Sequence, residues 1–167
     1  MGRGFTLIEL LVVLVIISLV SAFVAPRIVA PIGNLQLKTA SKRIAGAMRY
    51  SRSLAVSEKE SRVCFFDFDN QQMLIFLTTA FDSVEPEEVL ASARAEVRYQ
   101  LPEGVILKNA VSGDMDVEAG LFQVIFFTNG SASGGEIFLA NDRGRSACIQ
   151  IDFITGMVAM TTPEYNG

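Results

Sequence analysis

Phe5-Thr6-Leu7-Ile8-Glu9-Leu10-Leu11-Val12-Val13-Leu14-Val15-Ile16-Ile17-Ser18-Leu19-Val20-Ser21-Ala22-Phe23-Val24 is the stretch that decides the fold. A short leader, Met1-Gly2-Arg3-Gly4, precedes it, and no charge follows Glu9 until Arg27. About 20 apolar residues at 1.5 Å rise match a hydrocarbon core of roughly 30 Å, so the run is long enough to cross a membrane. Arg3 on the leader side points the N-terminus to the cytoplasm. Glu9 is the anomaly: a carboxylate in hydrocarbon costs on the order of a few kcal/mol, less near a helix end. A residue of this kind is a functional candidate and calls for a partner.

A cut between Gly4 and Phe5 would leave an ammonium one helical turn from Glu9. The same helix in a neighbouring copy, slid along its axis, could set its ammonium against this carboxylate, and burial would favour the pair over the isolated charge.

Gly4-Phe5-Thr6-Leu7-Ile8-Glu9-Leu10-Leu11 after a short basic leader resembles the class III signal of type IV pilins and type II secretion pseudopilins. The resemblance implies cleavage after Gly4 by a prepilin peptidase and N-methylation of Phe5. It also implies that Glu9, fifth in the processed chain, registers subunits in a filament. Two plainer readings compete. An ordinary secretory signal would have a shorter apolar core and could be cut at Val20-Ser21-Ala22; Glu9 inside the core and the two-glycine leader argue against it. A simple single-pass anchor would leave Glu9 without a purpose.

Of the 167 residues, those beyond the leader and the apolar run suffice for one globular domain with its own core. A net charge of −4 argues against nucleic acid as main partner. The chain has no histidine, which removes the commonest general base and the commonest metal ligand. Cys64 and Cys148 lie in apolar, strand-like stretches. In an exported domain they could pair as a disulfide; unpaired, each is a small buried hydrophobe.

Pro26, Pro31 and Gly33 follow the apolar run, and the helix is expected to bend or loosen there and resume near Asn34. Pro26 falls where the pilin family tends to place a helix-kinking proline. From Leu35 to about Glu58, Leu37, Ala40, Ile44, Ala47, Met48, Ser51, Leu54 and Ala55 recur at helical spacing and form a core-facing stripe. Lys38, Lys42, Arg43, Arg49, Arg52 and Lys59 fall on other faces. They read as a solvated side facing filament neighbours or lipid headgroups.

The period then changes. Arg62–Phe68 and Met73–Thr78 read as a hairpin closed by Asp69-Asn70-Gln71-Gln72. The stretches 96–101, 105–107, 121–127, 136–139, 148–152 and 157–160 read as further strands. Between them lie an acidic loop at 81–88 and polar loops at 112–116 and 128–135. The expected fold is α+β: a long N-terminal helix, membrane-spanning in its first half and amphipathic in its second, packed on an antiparallel β domain. The segments are leader 1–4, membrane helix 5–25, helix continuation 26–60 and β domain 61–167.

Phe127, Gly130, Ser133-Gly134-Gly135, Ile137, Leu139, Gly144, Ile149, Ile151 and Thr155-Gly156 resemble the C-terminal half of GspH-type minor pseudopilins, a domain shared with FimT and FimU type minor pilins. No catalytic constellation is seen, and neither cofactor nor metal is expected. Gly130–Gly135 lacks the Gly-Lys-Ser/Thr ending of a phosphate loop and joins two strands. Asp114, Asp116 and Glu118 lack the glycine and later glutamate of a calcium loop. Asp67 with Asp69 and the acidic Glu85, Glu87 and Glu88 read as solvated groups.

The resemblance implies a minor pseudopilin at or near the tip of a pseudopilus, with the I, J and K minor pseudopilins and the major pseudopilin as partners. It would be single-pass in the bacterial inner membrane with its C-terminal domain in the periplasm, helping to export folded proteins through an outer-membrane secretin. The second hypothesis is a type IV minor pilin acting in assembly priming, adhesion or DNA uptake. Against DNA, the tail Thr161-Thr162-Pro163-Glu164-Tyr165-Asn166-Gly167 has no Lys or Arg.

Overall fold

The computed structural model describes residues 6–77 and 95–161, the side chains of 22–33 excepted. The expected processing site at Gly4 and Phe5, the acidic loop at 81–88 and the tail at 162–167 lie outside the described residues.

Among the described residues one helix, α1 (Leu7–Glu58), leads into nine strands: β1 (Arg62–Asp67), β2 (Gln72–Leu77), β3 (Val97–Gln100), β4 (Val105–Ser112), β5 (Met115–Val117), β6 (Leu121–Phe126), β7 (Gly135–Asn141), β8 (Ser146–Ile151) and β9 (Val158–Thr161). α1 is continuous through Pro26, Pro31 and Gly33, so the helix does not stop and resume near Asn34. Each proline removes a ladder donor and crowds the carbonyl one turn back, at about 3 kcal/mol, but a helix already nucleated on both sides propagates across it. Lys59, in the left-handed region at φ 60°, ends it.

The strands form two antiparallel sheets, ordered β3-β2-β1-β6 and β5-β4-β7-β8-β9. Residues 112–116, expected as a loop, instead turn a short hairpin in which Ser112 pairs with Met115 and Ala110 with Val117. Gly113, at φ 58°, supplies the tight turn that made the stretch look irregular.

The second half of α1 lies on the inner faces of both sheets, chiefly on β7, β8 and β9. Leu37, Ala40, Ser41, Ile44, Ala45, Met48, Ser51 and Ala55 are its buried stripe. They meet Cys64 and Phe66 of β1, Val124 and Phe126 of β6, Ile137 and Leu139 of β7 and Ile149 of β8 in one core. Each large side chain fully buried here, such as Ile44 or Met48, contributes about 1.5–3 kcal/mol. The buried hydroxyls of Ser41 and Ser51 donate to the carbonyls of Leu37 (2.8 Å) and Ala47 (3.0 Å), which lets polar atoms enter this stripe. On the other face of the first sheet Val63, Phe65, Leu74 and Phe76 form a second cluster, with the Phe65 and Phe76 rings edge to face at 5.9 Å.

Candidate functional site

None of the described side chains from Thr6 to Ser21 belongs to this core. Every described side chain from Thr6 to Ser21 is exposed, on all sides of the helix. Leu7 is 85% exposed, Leu14 62% and Leu19 57%, so no single face is reserved for water. A helix apolar all round is stable only when lipid or other helices surround it. Ser18, within this arm, donates its hydroxyl to the carbonyl of Leu14 at 2.8 Å, as a polar group in an apolar surrounding must. Among the described residues no helical stretch is long and apolar enough to cross a membrane. The side chains described in this arm stop at Ser21, short of the roughly 20 residues a crossing takes.

Glu9 stands in the first turn of α1, where the helix dipole favours a carboxylate. Its N–H donates to both the carbonyl (3.1 Å) and the hydroxyl (3.3 Å) of Thr6, the N-cap residue. Thr6 followed three residues later by Glu9 has the spacing of a capping box, of which the Thr6 half is formed here. This cap by Thr6 is readable in the sequence beside the expected role of Glu9 in assembly.

The β domain grips the lower helix through basic side chains expected to be solvated. Arg49 donates from Nε (3.0 Å) and Nη2 (2.8 Å) to the carbonyl of Val158. Arg52 donates from Nε to the carbonyls of Gly130 (2.9 Å) and Thr155 (3.0 Å). The Arg43 guanidinium lies 5.5 Å from the centre of the Tyr99 ring. Carbonyls that end strands or shape loops lack a ladder partner, and a charged donor meets that need better than water does. Nearer the arm, Asn141 Nδ2 donates to Asn34 Oδ1 at 3.3 Å.

Arg62 was read only as a strand residue. Its side chain is 3% exposed and forms ion pairs with Glu58, at the end of α1, and Glu96, just before β3. Among the described residues its Nε finds no acceptor. The i,i+4 spacing from Glu58 hinted at the first pair; the second, between distant segments, left no trace in the pattern.

The two cysteines are free, and the disulfide expected as one alternative is not formed. Cys64 faces the core from the first sheet, whereas Cys148 is half-buried in the second sheet, its β8 neighbours Ala147 and Ile149 facing the core. Burial pushes the Cys64 thiol up to about 12, against the smaller opposing effects of a hydrogen bond with Ser51 and the Arg62 charge. Partial burial, and then the Glu136 carboxylate, raise that of Cys148.

Asp67, Asp69 and Asp116, weighed as ion ligands, have other partners. Asp67 accepts from the Asn70 N–H (2.9 Å), Asn70 Nδ2 (2.8 Å) and Gln72 Nε2 (3.0 Å). Burial pushes its carboxyl upward, but these bonds outweigh it and hold the group below its ordinary value. Asp69 accepts from the Gly120 N–H at 3.3 Å, and Asp116 from Asn109 Nδ2 at 2.9 Å. Among the described residues no group of three His, Cys, Asp or Glu is placed to hold a metal ion.

An apolar arm on a gripped helix, with no assembled chemistry beside it, is suited to association. Comparison with known proteins agrees. The family described as type II transport protein GspH matches residues 40–155, and the prokaryotic N-terminal methylation motif matches residues 2–25. Type II secretion system protein H of Xanthomonas campestris pv. campestris is 24% identical over 156 residues, 93% of this chain and 81% of that one. In fold, the chain is similar to the minor pseudopilin EpsH of the Vibrio cholerae type 2 secretion system, with a TM-score of 0.60 and 11% identity over 79% of this chain and 97% of that one. It is also similar to the Pseudomonas aeruginosa type IV minor pilin FimU, with a TM-score of 0.53 and 17% identity over 78% of this chain and 95% of that one.

Proposed function

The chain belongs to the GspH family of type II transport proteins, and we propose that, as a minor pseudopilin of type II secretion, it waits in the inner membrane on its apolar arm and joins a pilus-like filament through that arm. The observation that carries this is the arm itself: apolar and exposed on every side, with one carboxylate in its first turn.

In this account a prepilin peptidase cuts after Gly4 and the new N-terminus of Phe5 is methylated. Residues 5–25 cross the membrane, 26–60 continue the helix with Pro26 as its bend, and 61–167 stand in the periplasm. A subunit drawn out of lipid must rebury its apolar side chains, and helices of neighbouring subunits offer a surface of the same character. Glu9 enters that bundle without a large penalty only if an ammonium from a neighbour neutralises it. Assembly with other pseudopilins follows from the family; a place at or near the tip, beside the I, J and K components and on the major pseudopilin, is the finer proposal. No catalysis is assigned to the chain.

A type IV minor pilin is the second reading, supported by the likeness in fold to FimU. The GspH family match and the protein H relative favour secretion.

The test replaces Glu9 by Ala and, separately, by Gln in the full chain, and reads membrane insertion, cross-linking to other pseudopilins and secretion. Both variants are expected to insert normally and to lose most incorporation. Normal cross-linking and secretion in both would sink the pairing role of Glu9.

A further inference from the structure

The turn between β8 and β9 presents Phe153, Ile154 and Met157 to solvent, 64%, 67% and 66% exposed. Exposed apolar side chains on a loop usually signal slack, but this loop is tied down. Asp152 Oδ1 accepts from the Ile154 N–H (3.1 Å), the Thr155 N–H (2.7 Å) and the Thr155 hydroxyl (2.7 Å). The Gly156 N–H donates to the Asp152 carbonyl (2.8 Å), the Asp152 N–H to Met157 (3.0 Å) and the Ala132 N–H to Phe153 (3.1 Å). Arg52 holds Thr155 from the helix. The turn is therefore built to hold three large apolar side chains outward, and a preorganised surface loses little entropy on binding.

Beside it runs a groove of about 640 Å³, across the outer face of the second sheet, within the range of ligand-sized sites. Phe153 and Met157 line it. Gly134 and Gly135 also line it, and a Cβ at Gly134 would lie 2.9 Å from the Phe153 Cβ, so the missing side chain at Gly134 is what lets Phe153 pack this close. Glu136 and Asp152 line the groove, and among the described residues no Lys or Arg does.

Its location narrows the occupant. The helix enters the domain near Asn34, by the β7–β8 turn, and reaches this loop at Arg52. At 1.5 Å per residue that is about 27 Å further from the apolar arm. Anionic lipid headgroups would meet two carboxylates here and be repelled. A groove of this volume has room for a few side chains of an extended segment.

We propose that this groove docks an extended protein segment carrying a bulky apolar side chain flanked by Lys or Arg, the apolar group against Phe153 and Met157 and the cation at Glu136. The surface goes beyond the role of the arm and does not depend on it, since the two lie at opposite ends of the molecule.

The test places a photo-crosslinker in the full chain, Ile154→p-benzoylphenylalanine, in the cells that make it, and sequences the adduct after digestion. The expected adduct is a protein segment with a basic residue beside the apolar one. Its yield should fall about tenfold with Glu136→Lys, the scale of a lost charge pair at an interface, and less with Glu136→Gln. Reversing the partner's cation to Glu should restore it in the Glu136→Lys background. A lipid adduct, no adduct, or a segment whose yield ignores Glu136→Lys, in a variant whose thermal unfolding is unchanged, would overturn the proposal.

Discussion

The Nε of Arg52 lies 2.9 Å from the carbonyl oxygen of Gly130 and donates to it across 78 residues of chain. The same nitrogen serves Thr155, so one helix side chain fastens two loops of the second half of the domain. Gly156 is the third member of this joint: a Cβ there would stand 2.3 Å from the Gly130 oxygen and 2.8 Å from Arg52 Nε.

Arg52→Ala should therefore destabilise the full chain by about 1–3 kcal/mol, since two carbonyls lose a charged donor. Gly156→Ala should do more, because its φ of 62° disfavours a side chain and the added carbon collides with backbone. Thermal unfolding in detergent is the measurement. A Gly156→Ala variant as stable as the parent would show that the joint is not packed as described.

Arg62 separates two costs. Removing both carboxylates, Glu58→Gln with Glu96→Gln, strands a buried guanidinium and should cost about 3–5 kcal/mol. Arg62→Met removes the charge instead and leaves carboxylates that are 49% and 35% exposed and can rehydrate. That variant should be much closer to the parent, since a packed apolar replacement for a buried ion is often near neutral. Equal losses in the two would contradict the burial of Arg62 as the dominant cost.

Asp67 gives a pH dependence with a defined sign. Its carboxyl titrates below its unfolded value of 3.8. Its stabilisation is complete above that value and is lost as pH falls below it through the folded-state value. Asp67→Asn should lower the unfolding temperature near neutrality and flatten its fall in acid. Asp152, held down by hydrogen bonds from Thr155 and Ile154, keeps part of the slope. An acid limb as steep in Asp67→Asn as in the parent would remove Asp67 from it.

The thiols differ in reactivity because only a thiolate is nucleophilic. With iodoacetamide at neutral pH and no reductant, native protein should leave Cys64 unmodified and alkylate Cys148 slowly. After unfolding, both should react, read as two added groups by mass. No reaction after unfolding without reductant would mean a disulfide.

How much of this the sequence disclosed depends on the range of each interaction. The helix stripe around Ile44 and Met48 was legible because periodicity is local, and Cys64 and Phe66 announced a strand by composition. The grip of Arg49 on Val158 was not, since a helical wheel places a side chain on a face without saying what carbonyl waits there. Pro26 and Pro31 point to a break where the helix runs on, because a single-residue penalty says nothing of the long helix on both sides. The β4–β5 hairpin was hidden by Gly113-Asp114, polar turn residues that look like loop until Ser112 and Met115 pair. Glu9 stood out as an isolated charge, while its capping partner Thr6, three residues away, drew no notice.

The central claim is that the chain is processed and methylated as a filament subunit. Intact mass of the protein taken from its native membrane tests it most directly. The account predicts loss of Met1 to Gly4 and the gain of one methyl group on Phe5. An uncut chain, or one cut after Ala22, would contradict it, because Glu9 would then lack the neighbouring ammonium on which assembly depends.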